Sequence, residues 1–240
     1  MSLIDQYTAA RAVMPQLCSK LQPEDTVVQS MPDVSPSKWH LEQVTWFFER
    51  FILKEYDSSY RTLDEQYDFL FNSYYFSAGQ MHARPKRGLL SRPTLAEILA
   101  YRSHVDNAML SLLETAADNP EIDARVQLGI NHEQQHQELF LTDIKHVLSC
   151  NPIRPAYDAS ISWPNSAAPG RYEYTPGPTG IHKVGATGDG FAFDNETPLH
   201  DALLHEQRIG NRLVTNGDYR EFIADGGYKD SNLWLSDGWS

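Results

Sequence analysis

Between Asn119-Pro120 and Asn151-Pro152 the sequence carries one long, unbroken helical pattern. Ile122, Val126, Ile130, Phe140, Ile144, Val147 and Leu148 recur at the spacing that puts apolar side chains on one face of a helix. The flanking prolines close it, because proline lacks the N–H and clashes with the preceding turn. Midway lies Asn131-His132-Glu133-Gln134-Gln135-His136-Gln137-Glu138. At about 100° per residue, His132 and His136 stand about 40° apart and one turn along the axis. Two imidazoles so placed can face one object. A divalent metal is the usual one, and it needs at least one more ligand from elsewhere in the chain. Two histidines on a polar helix facing water is the plain alternative.

Three further helical patterns precede this one. Leu3, Tyr7, Ala10, Val13, Met14 and Leu17 predict a helix over about 4–20. Ser35-Pro36-Ser37 opens a second, with serines available as caps, which runs through Trp39, His40, Leu41, Val44, Trp46, Phe47 and Phe48 to about Leu53. Its apolar content is that of a buried element. Thr94 and Glu97 have the spacing of a capping box and open a third, carrying Leu95, Ile98, Leu99, Tyr101, Val105, Met109, Leu112 and Leu113. Four long helices around one core predict an antiparallel bundle, where sites are built from side chains on facing helices. Residues 54–91 interrupt the series with Tyr67, Phe69, Phe71, Tyr74, Tyr75 and Phe76, together with Gly79, Pro85 and Gly88. So long and aromatic a connection reads as an ordered functional loop with a short helix.

Beyond Pro152 the composition changes. Residues 152–180 hold six of the 14 prolines, which leaves little room for helix. Gly185, Gly188, Gly190, Phe191 and Phe193 then suggest short strands, and Asn216 to Ala224 a helix. The organisation expected is an α+β chain with a bundle over 1–151, a proline-rich linker over 152–178 and a second α+β domain over 179–240. Trp234 and Trp239 read as core residues of that second domain without enough core around them. It is expected to be incomplete and to continue beyond Ser240.

Twenty basic against 32 acidic residues give a net charge of −12, which disfavours a nucleic-acid-binding surface. No apolar run approaches a membrane span, and the N-terminus lacks the basic start and apolar stretch of a signal peptide. Cys18 and Cys150 are distant and outside any C-x-x-C pattern, so two free thiols in a reducing, cytoplasmic compartment are expected.

The other histidines narrow the search for a third ligand. His146 lies ten residues past His136, roughly 15 Å along the axis, too far to share a metal. His82 lies in the aromatic loop, and His182, His200 and His205 in the second domain. That leaves His40 and His104 on other bundle helices, and spacing does not choose between them. Glu138, about 200° round from His136, should point away from the metal face. Gln135 flanks it, and Asp143 returns to the His132 face two turns beyond His136.

Several segments together resemble a known family. They are Ser37-Lys38-Trp39-His40, Phe71-Asn72-Ser73-Tyr74-Tyr75, Arg87-Gly88-Leu89-Leu90-Ser91-Arg92-Pro93, and His132 to Leu139. Asn151 to Tyr157, Phe193 to Pro198 and Val214 to Tyr219 add to them. In this order they resemble ergothioneine-biosynthesis sulfoxide synthases of the EgtB type. The resemblance implies a DinB-like four-helix bundle followed by the start of a formylglycine-generating-enzyme-like domain. It implies iron(II) held by His40, His132 and His136. It also implies joining of γ-glutamylcysteine or cysteine to hercynine with O2. Arg84 and Arg87 resemble residues that bind the thiol's carboxylates, and Gln135 one that contacts the hercynine imidazole. The family's catalytic tyrosine would fall beyond Ser240. Two other classes stay open on the residues alone. One is a zinc-dependent thiol transferase or hydrolase on the same bundle, since three His and an open position serve zinc as well as iron. The other is a non-catalytic bundle module with structural histidines.

Overall fold

A computed structural model of the protein describes residues 2–240 apart from 74, 117–118 and 163–167, and apart from the side chain of Ala78. Tyr74 of the aromatic excursion and Pro164 of the linker therefore lie outside the described residues. The chain divides into two compact units, Met1–Ile161 and Ser162–Ser240.

The first unit is built on four long helices: α1 Leu3–Cys18, α2 Ser37–Phe48, α3 Leu95–Thr115 and α4 Pro120–Cys150. Helix α3 opens on the expected capping box. The Thr94 hydroxyl accepts from the Glu97 N–H at 3.3 Å, while the Glu97 carboxylate accepts from the Thr94 N–H at 2.6 Å. Asn119 caps α4 through its side-chain oxygen and Pro120 takes the first turn, where its missing N–H costs nothing. The start of α2 departs from expectation. Pro36 is its N-cap, and no serine side chain satisfies the first turn. Ser35 is engaged elsewhere, as described below.

Every residue of α2 is buried, so this helix is the bundle's central rod. It packs on α3 and α4, and α1 packs on α4. Fully burying a side chain such as Leu41 or Ile52 contributes roughly 1.5–3 kcal/mol. Beyond Phe48 the rod continues through a π-helical turn, Glu49–Leu53, and a last turn to Tyr56. The fully buried Glu49 carboxylate accepts from the Tyr60 and Tyr101 hydroxyls, each at 2.6 Å. Gly129 lets α4 approach α2 closely, since a Cβ there would stand 2.5 Å from the Phe48 ring.

A second polar cluster ties the helices together. Glu133 of α4 is wholly buried and accepts from Arg11 of α1 at 2.6 Å and from Arg102 of α3. Arg11 also donates to Asp106 at 2.7 Å and to Thr45 of α2 at 3.1 Å. A buried charge set of this kind holds only while every partner is present. It fixes the rotation of α4 about its own axis. The residues on either side of Glu133 are thereby aimed.

The excursion is folded against the stretch before α2. The Trp46 indole and the Lys54 ammonium both donate to Asp68, at 2.7 and 2.8 Å, which anchors a short helix, Tyr67–Phe71. The Gln29 side chain clamps the 3-10 turn Arg84–Leu89. Its amide donates to the carbonyls of Val34 and Arg84 at 2.8 and 2.9 Å, and its oxygen accepts from the Gly88 N–H at 2.8 Å. The first part of the expected linker packs back on α1, where the Tyr157 hydroxyl donates to the Leu17 carbonyl at 2.7 Å.

The second unit holds two antiparallel pairs in a nested order. β1 (Tyr174–Pro176) pairs with β4 (Arg208–Gly210), and β2 (Gly180–Val184) with β3 (His200–Leu204). Helix α5, Asn216–Ala224, has the predicted bounds and a Thr215/Asp218 capping box. Among the described residues of this unit only Gly227 is buried. Trp234 is partly covered, stacked on Tyr228 with centroids 5.1 Å apart and donating to the Gly227 carbonyl at 2.8 Å. Trp239 is 48% exposed. No helix among the described residues is long and apolar enough to cross a membrane.

Candidate functional site

Helices α2 and α4 enclose one end of a cavity of about 330 Å³. His40, His132 and His136 all line it, with Gln43, Trp39, Gln135, Asp143, Arg84 and Arg87. The third imidazole beside the α4 pair is therefore His40. His104 lies elsewhere, its Nε2 2.9 Å from the Arg61 carbonyl. His40 Nδ1 is 3.0 Å from His136 Nδ1, and the His132 and His136 ring centroids are 4.6 Å apart. His40 is 2% exposed and His136 7%.

Burial dominates the electrostatics of the three rings. It disfavours the imidazolium form and lowers all three pKa values, that of His132 to about 4. For His136 the neighbouring His40 and His132 push in the same direction, and for His40 the Asp143 carboxylate partly opposes it. At neutral pH all three are neutral, the form that binds metals.

Their hydrogen bonds divide the roles. His40 Nε2 is 3.1 Å from the Asp143 carboxylate, which also accepts from the Ser35 N–H at 2.8 Å. A neutral His40 that donates from Nε2 keeps its Nδ1 lone pair on the side of His136. His132 Nδ1 is buried with no hydrogen-bond partner. An orphaned ring nitrogen costs folding energy unless something binds there. The 3.0 Å between the two Nδ1 atoms is close to the spacing of adjacent ligands on a metal with bonds of about 2.0–2.1 Å. Among the described residues, however, no three His, Cys, Asp or Glu side chains already converge on one metal-sized point.

The cavity's other wall comes from the excursion. Arg87 is 3% exposed, and its guanidinium carbon lies 3.4 Å from the centroid of Trp39. It donates to the Ser35 and Ser73 hydroxyls, each at 2.9 Å. Ser35 thus serves the site through both its N–H and its hydroxyl instead of capping α2. Asn72 turns the chain here, accepting from the Tyr75 N–H at 3.1 Å, and so brings Ser73 and Tyr75 to the wall. Arg84 is exposed and donates to the Asp33 carbonyl at 2.6 Å. Gln135 lines the opening and Glu138 is exposed, away from the lining, as its helical angle predicts.

Sequence reasoning had no signal for Gln43, for the Arg87–Trp39 stack, or for the burial of Glu133. The Arg87–Trp39 stack brings the excursion and α2 together across the fold, and Gln43 is turned into the cavity wall by the burial of α2. The third stands beside His132 in the motif, but its arginine partners come from two other helices.

A four-helix bundle with a histidine-lined cavity between two of its helices is the class that fold and site define. The family model described as DinB superfamily matches residues 6–140, and the chain belongs to that superfamily. Among similar curated proteins is a hercynine oxygenase of Mycolicibacterium smegmatis, 30% identical over 216 residues, which are 88% of this chain and 48% of that protein. A hercynine oxygenase of Mycolicibacterium thermoresistibile is 26% identical over 220 residues, 87% of this chain and 45% of the relative. One of Mycobacterium tuberculosis is 28% identical over 160 residues, 66% of this chain and 36% of the relative. The chain spans about half the length of the first two relatives.

Proposed function

We propose that this chain carries the metal centre of a non-haem iron(II)- and O2-dependent sulfoxide synthase of ergothioneine biosynthesis, working in the cytoplasm. The enzyme would join the sulfur of γ-glutamylcysteine or cysteine to the imidazole ring of hercynine and oxidise that sulfur. The observation that carries the reading is the meeting of His40, His132 and His136 in one cavity, all neutral, in a chain whose relatives are named hercynine oxygenases. These three side chains would hold the iron. The unpartnered His132 nitrogen and the close pair of Nδ1 atoms fit that role. Side-chain rotation within the cavity would bring the donors to one point.

When bound, iron(II) supplies the redox chemistry that couples the thiol sulfur to O2. The protein's own groups do the rest. Asp143 holds His40 in the tautomer that offers Nδ1. Arg84 and Arg87 put positive charge on the wall where a thiol bearing carboxylates would lie, and forked guanidinium–carboxylate pairing suits that task. Gln135 offers an amide to the hercynine imidazole. Residues 179–240 would form the opening part of a formylglycine-generating-enzyme-like domain.

The test is anaerobic loading of the purified chain with iron(II), followed by O2 with hercynine and each thiol. Iron bound at one per chain and lost in His132→Ala is expected, with O2 uptake and a product of the coupled sulfoxide's mass once the family's catalytic tyrosine is supplied as well. A chain that binds zinc but no iron, and never consumes O2, overturns the reading in favour of a zinc-dependent thiol transferase or hydrolase. Metal content unchanged in His132→Ala would leave a bundle whose histidines are structural.

A further inference from the structure

One buried group in the cavity has no partner and no role so far. Gln43 is 2% exposed, lines the same cavity as the three histidines, and its side-chain carbonyl oxygen has no hydrogen-bond partner. An amide oxygen stripped of water and left unbonded is costly, and folded proteins keep few of them. His132 Nδ1 is orphaned in the same way. Two residues that line one cavity thus each carry an unsatisfied lone pair, which points to a shared ligand that accepts lone pairs.

The helix geometry says where Gln43 stands. His40 of α2 meets His136 of α4 with centroids 5.2 Å apart, and Phe47 of α2 meets His132 with centroids 4.9 Å apart. The two helices therefore run antiparallel past each other. Gln43 comes three residues after His40 and four before Phe47, so its level on α2 falls between those of His136 and His132. His40 and Gln43 also share a helical face, about 60° apart. The position is suited to a cation held by the histidines, and the carbonyl oxygen is suited to chelate it.

We infer that the Gln43 side-chain oxygen is a fourth protein donor to the metal, an inference that rests on the metal-centre reading above. The consequence is a site of three neutral imidazoles and one neutral amide. No protein anion would bind the metal directly, so its charge would be left to attract an anionic ligand such as a thiolate. An amide oxygen is also a weaker donor than imidazole, which makes this position the easiest of the four to exchange.

The experiment titrates metal-free full chain with cobalt(II), followed by visible d–d absorption, in the native protein, Gln43→Leu, Gln43→Glu and His132→Ala. Gln43→Leu should bind cobalt at least about tenfold more weakly with altered bands. Its metal-free thermal midpoint should be no lower than native, because an orphaned oxygen has been removed. Gln43→Glu, with a carboxylate in place of the amide, should bind more tightly than native. Native affinity and native bands in Gln43→Leu overturn the inference while leaving the metal centre standing. If Gln43→Leu does not fold, unchanged affinity and bands in Gln43→Glu overturn it. Absence of cobalt or iron(II) binding by the native chain overturns the metal reading, and this inference with it.

Discussion

His40 and Asp143 lie 103 positions apart in the chain, on different helices, yet His40 Nε2 stands 3.1 Å from the Asp143 carboxylate. The same carboxylate is tied to the Ser35 N–H at 2.8 Å. One acidic side chain thus sets both the tautomer of His40 and the path of the chain entering α2. Asp143→Asn keeps the shape but weakens the acceptor. If the proposed metal centre holds, it should lower affinity for iron(II) or cobalt(II) by about 10- to 100-fold, as loss of a ligand's orienting partner does elsewhere. Metal titration of the variant checks this, and unchanged affinity would show that His40 needs no such partner.

The two wall arginines should respond differently to substitution. Arg87 is buried, stacked on Trp39 and bonded to two serines, so Arg87→Ala should cost about 1–3 kcal/mol of stability in chemical denaturation. Arg87→Lys should restore little, because an ammonium can neither stack as a planar fork nor reach both hydroxyls. Arg84 is exposed, and Arg84→Ala should leave the denaturation midpoint within about 0.5 kcal/mol of native. If the proposed function holds, it should nonetheless weaken binding of a carboxylate-bearing thiol.

Glu133 holds Arg11 and Arg102 together at the centre of the bundle. Glu133→Ala leaves the buried Arg102 without its carboxylate and Arg11 with Asp106 alone, and should destabilise the fold by about 3–5 kcal/mol. Equilibrium denaturation in metal-free buffer measures it directly. A loss under about 1 kcal/mol would mean that water reaches the cluster.

The two cysteines should separate by pH and by access. Burial pushes the Cys18 thiol up to about 11, against an ordinary value of 9.0, while Cys150 is exposed. Because the folded value is raised, the unfolded chain ionises first. The stabilising contribution is complete below pH 9 and is lost as pH rises from 9 to 11. Thermal midpoints should fall across that window, and Cys18→Ala should flatten the fall. At neutral pH a thiol reagent should label Cys150 and spare Cys18 until unfolding.

Much of the bundle was readable along the chain. Thr94 with Glu97, Asn119 with Pro120, and the apolar spacing of α3 and α4 act over a few residues, and the observed helices obey them. The α4 histidine pair was readable for the same reason, since a helix brings i and i+4 together by itself. The serine caps of α2 misled because a more distant partner, Arg87, takes the Ser35 hydroxyl. For the tryptophans, aromatic content says nothing of what a side chain packs against. Within the second unit Trp234 finds Tyr228, and Trp239 stays largely exposed.

Local rules act within about one helical turn. They settled where the helices begin and end, which residues are apolar on which face, and that His132 and His136 point the same way. Spacing left the third histidine undecided between His40 and His104, and only the family resemblance named one. Packing placed His40, and not His104, on the cavity wall beside the α4 pair. It laid α2 antiparallel to α4, pinned α4 through Glu133 to arginines on two other helices, and folded the excursion so that Arg87 covers Trp39. Each of these joins residues tens of positions apart through contacts whose energy depends on distance in space. For the same reason the pattern of α2's sequence could not reveal that Gln43 would line the cavity of the three histidines with its side-chain oxygen unbonded.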